Sequence, residues 1–300
     1  MFTTLKKTAF VAGAAVALAA STPSQAQELK GELAIDGSST VYPITQLVAE
    51  VFNEEHGDVN IAVGFSGTGG GMKKFAAGET DLSNASRPIK ASEAKKISAA
   101  DIQFIELPVA YDGLTIAVNK SNNWVDKLTV DQLKMIFLAS NKGKVKTWKD
   151  VDPSWPATEI DMYIPGTNSG TFDYFKEVVV GKTEDAIRDD VSESEDDHVL
   201  VNGISGNRGA IGFFGAAYYF ENQDKLKSVP IVNKAGKAVS PTAKTIESGE
   251  YNPFSRPLFI YAKKTSLDRP EFLAFVEFYL ADAGEFAQEV GYVALPDSVY

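Results

Sequence analysis

The chain has 300 residues, of which 44% are hydrophobic and 23% are charged. This composition is typical of a globular protein, and the length is sufficient for two domains. The formal net charge of −11 at pH 7 disfavours nucleic acids and anionic membrane surfaces as partners. The chain contains no cysteine, which excludes disulfides, thiolate metal sites and a cysteine nucleophile.

The first 26 residues have the pattern of a secretory signal peptide. Lys6 and Lys7 form a basic segment, residues 9–20 are apolar, and residues 24–26 form a cleavage site between small residues. The apolar segment is too short to span a membrane. We therefore predict an exported, periplasmic protein that begins near Gln27 and has no lipid anchor, because no cysteine follows the signal. Cleavage would remove two lysines and no acid, which changes the net charge from −11 to −13.

Two hydroxyl-rich, glycine-containing turns lie near the start of the predicted mature chain. The first turn, residues 37–43, follows an apolar strand at 33–35 and begins a helix that has Pro43 in its first turn. The second turn, residues 64–71, follows a strand at 61–63 and begins another helix. Neither turn has the Lys-Ser/Thr pair of a P-loop or a G-x-G-x-x-G pattern, so nucleotide binding is disfavoured.

A third turn of this kind, residues 166–171, follows a strand at 161–165 and begins a helix with Phe172 and Phe175 on its apolar face. Ser169 is predicted to cap this helix. The first N–H groups of a helix have no intrahelical partner, and they carry about half a positive charge. We therefore expect one anion to be held by several helix N-termini. The alternative is that the hydroxyls only cap their own helices, by accepting hydrogen bonds from the first amides of each helix.

The remaining predicted elements alternate between strands and helices. In chain order they are a strand that ends at residues 86–87, a helix at 93–99, strands at 104–109 and 111–119, a helix at 130–137, a helix from about residue 199, strands at 209–214 and 256–262, and a terminal helix at 270–289. This alternation predicts an α/β fold with a mixed, mostly parallel sheet flanked by helices. Ligands of such sheets bind at the carboxyl ends of the strands, where the three turns lie.

Two long strands, at 111–119 and 256–262, are predicted to cross between two lobes. This connection gives a first lobe formed by residues 27–115 and 259–300, and a second lobe formed by residues 116–258. The ligand would then bind in the cleft between the lobes.

Five motifs resemble those of the periplasmic phosphate-binding proteins that supply the phosphate ABC importer. They match in order and spacing at residues 37–43, 66–71, 86–89, 111–113 and 167–171. The resemblance implies a type II two-lobe periplasmic binding protein that holds dehydrated inorganic phosphate between its lobes. It also implies a monomer that delivers phosphate to the membrane permease subunits, with no catalytic residue, no cofactor and no bound metal.

The resemblance and the turns together predict the residues that bind phosphate. They are Ser39, Thr40, Thr68, Ser86, Arg87, Asp112, Thr167, Ser169, Gly170 and Thr171. In some branches of the family an arginine precedes the third turn where this chain has Pro165, and an acid stands where this chain has Arg87. We infer that Arg87 supplies the cation, with a surface salt bridge as the alternative.

The acid that accepts the proton of phosphate must then come from another position. Asp112 is the preferred candidate, because it begins the first crossing strand, and a turn residue is its alternative role. Asp173 is expected to point away from the site on its helix, and Asp197 belongs to a solvated acidic run.

Two other functions stay open on the sequence alone. A phosphatase or other hydrolase of phosphate esters needs a base beside its nucleophile, and the two histidines, His56 and His198, lie in polar segments outside any nucleophile motif. The acidic run at 192–197 lacks the spacing of a calcium loop and is typical of a solvated face. A surface adhesion or signalling module on the same fold is the second alternative.

Overall fold

The computed structural model describes residues 28–167, 169–181, 183–296 and 298–299. The predicted signal peptide, residues 1–26, lies outside this part of the chain. The strands are β1 Gly31–Gly37, β2 Val59–Val63, β3 Leu82–Ala85, β4 Phe104–Asn119, β5 Asp161–Pro165, β6 Ser192–Ser194, β7 Ala210–Gly215, β8 Leu226–Ser228, β9 Ile231–Val232, β10 Ala238–Val239 and β11 Ser255–Lys263. The helices are α1 Tyr42–Glu55, α2 Gly67–Ala76, α3 Ala91–Ala99, α4 Val130–Phe137, α5 Trp148–Val151, α6 Gly170–Val179, α7 Asp197–Gly206, α8 Ala216–Glu221, α9 Ala243–Glu247, α10 Pro270–Ala281 and α11 Ala283–Glu289.

Nine of the strands form one mixed sheet in the order β2-β1-β3-β11-β4-β7-β5-β6, with β8 added beside β4. The outer groups are parallel, because β1 pairs in parallel with β2 and β3, and β5 pairs in parallel with β6 and β7. The centre is antiparallel, because β11 and β4 run in opposite directions. The predicted α/β class with a mixed sheet and flanking helices is confirmed.

Strands β4 and β11 connect the two halves of the molecule. One of the two largest hydrophobic cores contains buried side chains between Leu33 and Ala110 and between Leu258 and Tyr292. The other contains buried side chains from 114 to 254. These two cores therefore meet where β4 and β11 pass from one half of the molecule to the other. This is the two-lobe arrangement that we expected. The lobe boundaries given above stay a prediction.

The helices that begin at the predicted turns form as the sequence indicates. Pro43 lies in the first turn of α1, and the buried face of this helix includes Val48 and Phe52. Helix α6 buries Phe172 and Phe175, and the Phe175 ring stacks on Phe213 with 3.8 Å between ring centroids. The apolar faces of these helices pack into the hydrophobic cores together with side chains of the sheet.

Two predictions of secondary structure were wrong, and several short elements were not predicted. Residues 104–109 and 111–119 form the single strand β4, not two strands. The predicted terminal helix is divided at Asp282 into α10 and α11. The short elements β6, β8, β9, β10, α5, α8 and α9 were not predicted. Segments this short have little intrinsic stability, and tertiary contacts determine their conformation.

In the described ranges, no helix has the length and apolar character that a membrane span requires.

Candidate functional site

A cleft of about 220 Å³ lies where the starts of α1, α2 and α6 approach strand β11. Its lining is mainly hydroxyl, charged and glycine groups from both lobes, namely Ser38, Ser39, Thr40, Gly67, Thr68, Gly69, Ser86, Arg87, Asp173, Tyr174, Glu177 and Arg256. Five predicted residues, Ser39, Thr40, Thr68, Ser86 and Arg87, therefore lie together in this cleft.

The turn before α1 is held by backbone contacts to the end of β3. Gly37 has a φ of +150°, and a Cβ at this position would lie 2.1 Å from the carbonyl oxygen of Asn84. The Ser38 amide donates to that same oxygen at 2.9 Å, and the Thr40 amide donates to Ser38 Oγ at 3.2 Å. Glycine is therefore required at position 37, and its close approach to β3 places the hydroxyls of the turn at the cleft.

The turn before α2 brings a second pair of hydroxyls to the cleft. Thr68 Oγ1 lies 3.2 Å from Ser86 Oγ and accepts a hydrogen bond from the Ser86 amide at 3.1 Å. Ser66, the residue before α2, donates to the Asp36 carboxylate, which also binds Lys74 at 2.6 Å. Thr68 at the start of α2 and Ser86 at the end of β3 are thus held beside each other.

Arg256 is a cation of the cleft that the sequence analysis missed. Its Nε lies 3.1 Å from Asp112 Oδ2, and its Nη1 lies 3.1 Å from the Glu177 carboxylate. Its Nη2 donates to Thr40 Oγ1 at 3.0 Å, and its guanidinium carbon lies 3.6 Å from the Tyr174 ring centroid. The Arg256 side chain is only 13% exposed. These contacts fix the guanidinium in one orientation at the cleft.

Arg87 lines the cleft as predicted, but it also forms the salt bridge that we gave as the alternative. Its two terminal nitrogens donate to the two oxygens of Glu93 at 2.9 and 2.8 Å. The hydrogen bond from Arg87 lowers the pKa of Glu93 below its usual value. The charge of Arg87 is therefore largely compensated by Glu93.

Asp112 is fully buried and is absent from the lining of the cleft. Its Oδ2 binds Arg256, and its Oδ1 has no hydrogen-bond partner among the described residues. Burial raises the pKa of the Asp112 carboxyl, although the Arg256 guanidinium acts in the opposite direction. Asp112 therefore lies behind Arg256 and orients it.

The two carboxylates that line the cleft come from α6. Asp173 Oδ2 accepts a hydrogen bond from Ser39 Oγ at 3.2 Å, so the prediction that Asp173 points away from the site is wrong. Glu177 lies one helical turn later and binds Arg256. Asp197, the other candidate acid, is outside the lining, and burial raises its pKa to about 6.

The third turn contributes to the closure of the cleft. Ser169 caps α6 as predicted, and its hydroxyl accepts hydrogen bonds from the amides of Thr171 and Phe172. A Cβ at Gly170 would lie 2.8 Å from the Thr40 Cα, so the starts of α6 and α1 touch. Of the turn residues predicted to bind the ligand, Thr167, Ser169, Gly170 and Thr171 lie outside the lining.

A sequence model of the PBP superfamily domain matches residues 19–283. The chain belongs to the PBP superfamily. Its relatives in this superfamily include the phosphate-binding protein PstS of Staphylococcus saprophyticus. That protein is 46% identical over 272 residues, which cover 90% of this chain and 82% of the relative.

Solved structures of the PBP superfamily show the same architecture. A possible phosphate binding protein from Planctomyces limnophilus matches with a TM-score of 0.86 and 45% identity, over 90% of this chain and 95% of that one. An ABC-type phosphate transport receptor from Vibrio cholerae matches with a TM-score of 0.64 and 26% identity, over 88% of this chain and all of that one.

The chemistry of this PBP superfamily site is that of anion binding. The cleft offers hydroxyl donors and two guanidinium groups, and no histidine lines it. His198 is exposed, and the His56 ring, just after α1, lies 4.5 Å from the Phe52 ring. The described residues contain no cluster of His, Cys, Asp and Glu side chains that could hold a metal ion.

Proposed function

We propose that this protein binds inorganic phosphate in the cleft between its lobes and delivers it to an ABC-type phosphate importer. The observation that supports this proposal most strongly is the position of Arg256, which meets the hydroxyls of two helix starts in one small cleft. A fixed guanidinium with several neutral donors suits a dehydrated tetrahedral anion. The relatives that are 45–46% identical, named for phosphate binding, support the same ligand. The protein is a binding protein and not an enzyme.

The donors divide into two groups. Ser39, Thr40 and Arg256 would hold the anion from the side of α1 and β11, and Thr68 and Ser86 from the side of α2. Arg87 would act as a second cation, and its attraction for the anion would be reduced by its ion pair with Glu93. The third turn, residues 167–171, would add its α6 backbone to the wall of the closed cleft.

A carboxylate in the cleft would favour phosphate over sulfate. Phosphate near neutral pH carries a proton that a carboxylate can accept as a hydrogen bond, whereas sulfate would present only lone pairs and like charge. We predicted Asp112 for this role, but its position behind Arg256 suits an orienting residue. Asp173 is better placed, because it lines the cleft and already accepts a hydrogen bond from Ser39.

We infer that the protein functions outside the cytoplasmic membrane, where receptors of ABC importers work. Cleavage after residue 26 would release it as a free periplasmic monomer, and its closed form would dock on the permease subunits. No observation favours the hydrolase or the adhesion module over this function.

Equilibrium dialysis of phosphate-stripped protein against radiolabelled phosphate tests the proposal. We expect one phosphate per chain at sub-micromolar concentration, which corresponds to roughly −8 kcal/mol or better. The same preparation should release no product from a chromogenic phosphate ester. Turnover of the ester would favour a hydrolase, and the absence of retained phosphate would exclude the binding function.

A further inference from the structure

A second cavity of about 460 Å³ lies beside the phosphate cleft on the first lobe. Helices α2 and α3 form its walls, and Gly69 lines both this cavity and the cleft. The ion pair between Arg87 and Glu93 lies at the boundary, because Arg87 lines the cleft and Glu93 lines the second cavity. An anion in the outer cavity would therefore be next to the entrance of the inner site.

Three lysines, Lys73, Lys90 and Lys96, line the outer cavity. In the part of the chain that the structure describes, no carboxylate lies within 4.0 Å of their ammonium groups. The one acid in the lining, Glu93, is bound to both terminal nitrogens of Arg87 and to the Lys90 amide. The outer cavity is therefore positive on a protein whose net charge is −11.

Two carboxylates lie on the opposite side of the cleft, next to Arg256. Asp173 and Glu177 line it from α6, and both residues are exposed. Because Glu177 is paired with Arg256, an approaching anion is repelled mainly by Asp173 and attracted to the lysines on the first lobe. This distribution of charge favours the approach of an anion from the side of the lysines.

We propose that the lysine-lined cavity is an outer anion site, where hydrated phosphate docks before it enters the cleft. This inference rests on the proposed function. Lysine ammonium groups are strongly hydrated point charges, which suits an anion that has kept its water shell. Because the three lysines are exposed, the outer site holds phosphate weakly and acts on the rate of association.

Stopped-flow binding of phosphate tests the outer site, with a fluorophore on one engineered surface cysteine, since the chain has none. The test variant carries Lys73→Gln, Lys90→Gln and Lys96→Gln. The control variant carries Lys149→Gln, Lys234→Gln and Lys244→Gln, which are exposed lysines that line neither cavity and whose loss changes the net charge equally.

The test variant should associate with phosphate about tenfold more slowly than the parent at low ionic strength, with an unchanged dissociation rate. The difference should disappear in concentrated salt, because exposed charges are then screened. The control variant should associate nearly as fast as the parent.

Equal association rates in the test and control variants would overturn the outer site and leave the proposed function intact. A slower association that persists in concentrated salt, or a faster dissociation, would also overturn it. A parent protein that binds no phosphate at all would overturn the proposed function, and the outer site with it.

Discussion

Arg256 and Asp112 face each other across the two central strands, with Arg256 Nε 3.1 Å from Asp112 Oδ2. One member of the pair lines the cleft, and the other is completely buried behind it. A buried carboxylate is costly unless a cation compensates it, so Asp112 holds the guanidinium in one place. The same contact therefore holds β4 and β11 together between the lobes and orients the main cation of the cleft.

Arg256→Ala should weaken phosphate binding more than Arg87→Ala does. The loss at Arg256 should be about 2–5 kcal/mol, because a nearly dehydrated anion would lose its main cation. The loss at Arg87 should be smaller, since Glu93 already compensates most of its charge. Calorimetric titration of both variants measures the ranking. A larger loss for Arg87→Ala would restore Arg87 as the main cation and contradict the role of Arg256.

Arg256→Ala should also make stability depend on pH through Asp112. Without Arg256, burial alone acts on Asp112, and its pKa should rise further above the ordinary value. The folded state then binds the proton more tightly than the unfolded state, so stability is full below the unfolded-state pKa and is lost as pH rises through the folded-state pKa. At neutral pH the loss should be about 3–5 kcal/mol.

Urea unfolding between acidic and neutral pH tests this dependence. The double variant Arg256→Ala, Asp112→Asn is the control, because it has no carboxyl at position 112 to titrate. It should lose less stability than the single variant as pH rises. If the free energy of unfolding varied with pH in the same way for both variants, Asp112 would not be the titrating group.

Gly170→Ala should prevent full closure of the cleft. The added Cβ would lie 2.8 Å from the Thr40 Cα, and a backbone atom cannot turn aside as a side chain can. The cost to binding should be about 1–3 kcal/mol, as for other overpacked contacts. Small-angle scattering with phosphate should give a larger radius of gyration for this variant than for the parent. Gly206→Ala is the matched control, because a Cβ at this helical position meets no atom within 4 Å.

Asp173→Asn should weaken phosphate binding and reduce the preference for phosphate over sulfate by at least about tenfold. Glu177→Gln is the comparison, because it neutralises the neighbouring acid on the same helix. Removing Glu177 should strengthen the binding of both anions, since this carboxylate competes for Arg256. Competition experiments with the two anions measure both effects. An unchanged preference in the Asp173 variant would mean that another group accepts the proton.

The local features of the cleft could be predicted from the sequence. Gly37 and the hydroxyls beside it indicated a helix start that faces a ligand, and Ser39, Thr40, Thr68 and Ser86 do line the cleft. Such residues carry a local signal, because the turn and the helix that follows are encoded in a few consecutive positions.

Arg256 could not be predicted in the same way. Its place in the cleft depends on the register of β11 against β4, where it pairs with Asp112, and the two residues are 144 positions apart. The continuous strand β4, which contains Pro108, was predicted as two strands at 104–109 and 111–119. The sheet accommodates this proline beside the irregularity between Leu258 and Phe259, where a backbone N–H is not needed.

The third turn shows why a motif does not determine a contact. Ser169 was expected to bind the ligand, but its hydroxyl serves the amides of Thr171 and Phe172. Asp173 was expected to point away, but the close approach of Gly170 to Thr40 brings it within reach of Ser39. The Ser169 cap is local and was the stated alternative, whereas the position of Asp173 depends on how the two lobes meet, which no local pattern contains.

Calorimetric titration of the phosphate-stripped protein with phosphate, and separately with sulfate, tests the central claim most directly. We predict one phosphate per chain with a Kd below about 1 µM, and sulfate binding weaker by several kcal/mol. The absence of heat with phosphate, or equal affinity for the two anions, would contradict a phosphate-binding function for this cleft.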